Sequence, residues 1–259
     1  MFGNFRNGVF AFGIFLGFLV ALFLYLGLSY LEYSLSDIVS SALFGVVLGS
    51  LLTVVATIWV RTKEIHQKAA DTATVLQIRI ARNIVVLNAM KRTISEPKVI
   101  SSSNNSHKGF PDGLGWITEF HALPDTMKLE TPSAEELSFL MRISPIGKKE
   151  DMVSTWTLAS ITESQYGATA SAVHDVIKRM GLPNSGVLRH GSYEVALDDQ
   201  VIIDMKRISD LFDRVVVDIE KNVQDMIELL YVIHDGLNKK LGVRAHFLDI
   251  INKSETTSK

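Results

Sequence analysis

The side chains from which this chain could build a catalytic or metal centre are its 7 histidines and 28 carboxylates; it has no cysteine. Thiolate zinc sites, redox dithiols and disulfides are therefore excluded. A helical metalloprotease site needs two histidines four residues apart with a glutamate beside the first, so that one helix face presents all three, and no histidine pair here has that spacing. His174 precedes Asp175 and His234 precedes Asp235. Neighbouring helical positions point about 100° apart, so neither pair converges on one ion. No glycine-rich loop follows a strand pattern, and no serine has a base in recognisable company. These residues predict no catalytic group, no cofactor and no metal.

What remains is organised around two uncharged apolar runs, residues 9–31 and 38–60, separated by a short acidic loop. At about 1.5 Å per residue each covers roughly 34 Å, enough to cross a hydrocarbon core of about 30 Å with some tilt. The first run is too long for the apolar part of a signal peptide, and no small-residue cleavage site follows before Glu32, so a retained anchor is expected. Arg6 lies before the first run, Arg61, Lys63 and Lys68 follow the second, and the loop has no basic residue. Both termini are then expected on the cytoplasmic side, with a bacterial inner membrane as the favoured location and the three later cations placed to meet headgroups.

Small residues recur every four positions: Gly13, Gly17 and Ala21 in the first run, and Ser41, Gly45, Gly49 and Thr53 in the second. Such stripes let helix backbones approach closely in lipid, within one hairpin or between copies, and a homo-oligomer is expected. Neither run contains an ionisable residue, which disfavours a proton relay or pump. Ser40, Ser41, Ser50, Thr53 and Thr57 could line a pore made by many copies, but such hydroxyls more often bond to their own helix backbone.

Beyond the anchor the expected fold is all-α, with long helices in a bundle. No glycine or proline interrupts Leu51 to Ser95, so the second apolar helix should run on through a juxtamembrane segment, 61–94, whose seam is Ala73, Leu76, Ile80, Asn83, Leu87, Met90 and Ile94. Residues 95–132 read as an irregular connection whose Phe110, Trp116, Ile117 and Phe120 should pack down. Residues 133–252 read as the cytoplasmic bundle. It should open on a capping box at Ser133 and Glu136, continue as a helix from about Lys149 to Met180, and allow brief strand pairing near Tyr193 to Leu197. A long final helix repeats a seam of Val201, Met205, Ile208, Phe212, Val215, Ile219, Asn222, Met226, Leu229 and Ile233, with Val217 and others widening it. Asn83 and Asn222 are candidate register residues, and 253–259 reads as a disordered tail.

Charge narrows the partners. Only Arg6, Glu32 and Asp37 are charged before position 61, which leaves 25 basic against 26 acidic residues in the rest. Direct nucleic-acid binding is not expected of so balanced a surface, whereas a regulatory protein bound by the bundle is. The layout, a hairpin over 9–60 followed by a helical domain, resembles the two-span effector proteins of bacterial phage-defence systems. That resemblance implies an oligomerising toxin that permeabilises or depolarises the membrane when its cytoplasmic domain is triggered. Two alternatives remain: a membrane-anchored adaptor or scaffold, and a tethered hydrolase or nuclease. The last rests on the His-Asp pairs, which resemble those of metal-dependent phosphohydrolases, and on Arg61 and His66, whose spacing is similar to the arginine-histidine pair of a family of helical ribonucleases.

Overall fold

A computed structural model describes residues 42–103, 110–111, 113–144, 149–182 and 197–241, together with Gly17, Val20, Phe23 and Gly27. Four α-helices account for most of them: α1 (Ala42–Ser103), α2 (Ala134–Ile143), α3 (Lys149–Arg179) and α4 (Asp199–Gly236). A 3-10 turn covers Gly115–Glu119 and a π-helical turn Leu237–Leu241. No strand occurs among the described residues, which are all-α as expected. The expected strand pairing falls almost wholly outside the described residues, as do the 253–259 tail and the first apolar run apart from four helical positions. The chain divides into two compact units, Met1–Ala73 with His234–Lys259, and Thr74–Ile233.

In the first unit, α1 is apolar and unburied. Leu48, Leu52, Val54, Val55, Ile58, Trp59 and Val60 are all exposed. The hydroxyls of Thr53, Thr57, Thr62 and Thr72 each donate to the carbonyl four residues back, at 2.7–2.9 Å. These threonines satisfy their polar groups within the helix, as hydroxyls in an apolar helix tend to. Among the described residues no helix is long and apolar enough to cross a membrane. Residues 38–41 of the second apolar run lie outside them.

The second unit is built on two matching seams. Ala73 marks the boundary, and from Leu76 through Ile80, Leu87, Met90 and Ile94 the α1 seam is fully or almost fully buried. So is the α4 seam from Val201 to Ile233, because an alternation of three and four keeps one stripe facing inward along the whole helix. Val217 departs from the expected wide stripe and is 63% exposed. Trp116, Ile117 and Phe120 of the connection are buried, and Trp116, Phe120, Tyr166 and Phe212 form one ring cluster.

Local signals set the helix ends. Ser133 Oγ accepts from the Glu136 backbone N–H, while Glu136 accepts from the Ser133 N–H, the reciprocal box that satisfies two otherwise orphan donors. Gly181 closes α3 with φ 71°, and the Leu182 N–H returns to the Ile177 carbonyl at 3.3 Å. One expected boundary moves. The juxtamembrane helix does not stop near 94 but passes through Pro97 to Ser103. A proline inside a helix loses one backbone bond and strains the preceding turn, a cost of about 3 kcal/mol. Tertiary contact offsets it here: Ile94 is fully buried, and Lys98 Nζ lies 2.5 Å from Asp213 and 4.7 Å from the centre of the Trp116 ring.

Candidate functional site

Several polar side chains of the second unit meet the strap from His121 to Pro132, which turns at Asp125–Thr126 and lies against α1 and α3. Asn83, fully buried on the α1 seam, accepts the Glu130 backbone N–H at 2.8 Å and donates to the Glu130 carbonyl at 2.9 Å. Its carboxamide thus imitates a backbone partner for a peptide group 47 residues away. Arg82 binds the Glu130 carboxylate, and Arg79 binds the Thr131 carbonyl and sits 3.5 Å from Glu136. On the α3 side, Glu163 accepts the Leu129 N–H at 3.0 Å. Tyr166 accepts the Leu123 N–H at 3.1 Å and shares a hydrogen bond of 2.9 Å with Thr93.

Between this strap and α3 runs an open groove of about 860 Å³. Ser160, Ser164, Gly167 and Ser171 pave its α3 side at helical spacing. Leu123, Pro124 and Met127 form its apolar wall, and Asp125, Lys128, Glu163, His174 and Asp175 supply its charge and polarity. The groove therefore joins a narrow floor of small residues to a rim with more carboxylates than cations. Sequence reasoning missed it. The available signal was a glycine inside a 31-residue helix flanked by serines on one face.

The residues singled out from the sequence are dispersed. Asn222 donates to Thr162 Oγ1 at 2.8 Å, so both seam asparagines have partners within the chain. Gly17 and Gly49 have no described atom within 4 Å of where a side chain would begin, and Thr53 bonds to the Gly49 carbonyl. Gly13, Ala21 and Ser41 lie outside the described residues; Gly45 is helical. Arg61, Lys63 and Lys68 are exposed, with Lys63 Nζ 5.5 Å from the centre of the Trp59 ring. His174 and Asp175 line the groove, and His234 bonds to Asn238. Among the described residues no cluster of three or more histidines and carboxylates could hold a metal ion.

At the far end of α3, Arg179 pairs with Asp204 of α4 at 2.7 Å. The hydrogen bond from Arg179 holds the Asp204 carboxyl below its ordinary value, aided by Gln200 and by the charges of Arg179 and Arg207, and opposed by desolvation. A carboxyl depressed in the folded state stabilises it above the unfolded-state value, and that contribution disappears as pH falls through the folded value. The wild-type chain should therefore lose more of its thermal midpoint than Asp204→Asn as pH is lowered from about 6 to about 3. Parallel acid profiles for the two would show that the pair contributes nothing. Comparison with family models, curated proteins and solved structures finds no match.

Proposed function

We propose that the chain is an oligomerising membrane effector. The runs 9–31 and 38–60 form a two-span helical hairpin in the bilayer, with both termini and the helical bundle cytoplasmic. Copies assemble through the small-residue stripes. The bundle restrains them until a regulatory protein binds it, and the rearranged hairpins then permeabilise or depolarise the membrane.

The observation that carries this reading is the exposure of Leu52, Val54, Val55, Ile58 and Trp59, which follow one another around α1 on more than one face. Water around so wide an apolar surface is unfavourable, at roughly 25 cal/mol per Å², and a single docked helix covers only one face. Lipid covers every face. Gly49 has no described atom within 4 Å of where a side chain would begin, which suits the approach of a second backbone, since apolar side chains alone gain little by leaving lipid. The resemblance to two-span phage-defence effectors supports the same reading.

Membrane potential tests it, followed with a voltage-sensitive dye in cells induced to make the full chain, its Gly45→Leu and Gly49→Leu variants, or residues 61–259 alone. Overproduction drives assembly by mass action even without the regulatory protein, so the expected result is depolarisation by the full chain, relief by the two leucine variants with membrane insertion intact, and none from 61–259. Polarised cells under full induction would move the reading to the second alternative, an adaptor that tethers a partner-binding bundle. The groove beside the strap favours that alternative, because a concave surface of this size is a natural place for a partner.

A further inference from the structure

We infer that the groove between the strap and α3 is a docking site for a positively charged peptide segment of a partner protein. The inference deepens the reading above by giving the chemistry of the partner that the bundle receives. Three observations meet at the groove. The first is charge. Asp125, Glu163 and Asp175 line it against Lys128 as the single lysine, and Asp125 and Asp175 have no ion-pair partner among the described residues. Rim carboxylates of this kind steer and orient a cationic segment.

The second is Gly167. Glycine inside a helix costs about 0.5–1 kcal/mol relative to alanine, and is usually explained by a neighbour that leaves no room for a side chain. Among the described residues there is no such neighbour: a Cβ at Gly167 meets no described atom within 4 Å, and φ is not in the left-handed region. Nothing in the described fold requires glycine at this position. A main chain passing close over the groove floor would, and Ser160, Ser164 and Ser171 keep the same track low on either side.

The third is the wall opposite. Met127 is 46% exposed at the groove, an apolar side chain able to cover the aliphatic stem of a lysine or arginine. Glu163 and Tyr166 line the groove and also hold the Leu129 and Leu123 amides of the strap. An occupant therefore touches the same two side chains that fix the strap, which links docking to the position of residues 123–129.

The test is fluorescence anisotropy on the full chain in neutral detergent micelles, with a fluorescein-labelled decapeptide of alternating lysine and alanine as probe and the alternating glutamate-alanine decapeptide as control. Salt-sensitive binding of the lysine probe alone is expected. Asp125→Asn combined with Asp175→Asn should weaken it about fivefold or more, and Lys128→Glu should tighten it about threefold. Gly167→Leu should weaken it about tenfold while raising the thermal midpoint, since leucine is the better helix former. Asp210→Asn with Asp218→Asn, on exposed α4 positions, should change nothing. No binding, equal weakening by the α4 pair, or full affinity in Gly167→Leu would each overturn the assignment. These readings need no membrane activity, so failure of docking and failure of the effector reading are separate results.

Discussion

Phe212→Ala should lower the stability of the helical bundle by about 3–5 kcal/mol, the range for removing a fully buried aromatic ring. Phe212 is completely buried on α4, with ring centres of Phe120 at 4.8 Å, Trp116 at 5.7 Å and Tyr166 at 6.2 Å. Phe120 of the connection, Tyr166 of α3 and Phe212 of α4 each meet the other two, and Phe212 alone of the three also meets Trp116 among the described ring pairs. Its removal leaves a cavity bordered by three rigid rings that cannot all move inward. For a unit of this size the thermal midpoint should fall by about 10 °C or more, as followed by circular dichroism of the full chain. Because Tyr166 also holds the strap, protease cleavage within 121–132 should rise with the loss of stability. A fall of only about 1 kcal/mol would mean that the cluster repacks and is not the keystone of the unit.

Asn83→Leu should cost about 2–4 kcal/mol, although leucine suits a helical seam better than asparagine does. The cost arises at Glu130, whose backbone N–H and carbonyl lose both hydrogen bonds to the Asn83 side chain. Trypsin offers a direct readout, because Lys128 is exposed on the strap two residues away. Cleavage after Lys128 should become markedly faster, with the oligomeric state unchanged. An altered oligomer number with an unaltered strap would instead restore Asn83 to a register role between chains.

These residues also show how far the sequence was legible. The seams from Leu76 to Ile94 and from Val201 to Ile233 could be read because burial repeats with the period of the helix, and every apolar seam member is buried. Ser133 and Glu136 could be read because a capping box is complete within four residues. Asn83 was visible as a polar interruption, but its partner was not. A backbone 47 positions away leaves no periodic trace, and the side-chain amide that meets it looks the same as one that pairs between chains. Pro97 misled in the other direction. Its local preference ends a helix, whereas tertiary contact, with Ile94 buried and Lys98 held by Asp213 and Trp116, accompanies α1 onward. The groove was hidden because it needs a strap and a helix face that are remote in sequence.

The ion pair between Lys98 and Asp213 also has a meaning in time. The two residues are 115 positions apart, so a chain made at about 5–20 residues per second presents Lys98 roughly 6–23 s before its partner exists. Phe212, the next residue in sequence to Asp213, arrives with the same delay. The inward stripe of α1 therefore leaves the ribosome without the helix that will cover it. Through that interval the N-terminal half is a nascent chain with an open apolar flank, and the bundle closes only when α4 has been synthesised.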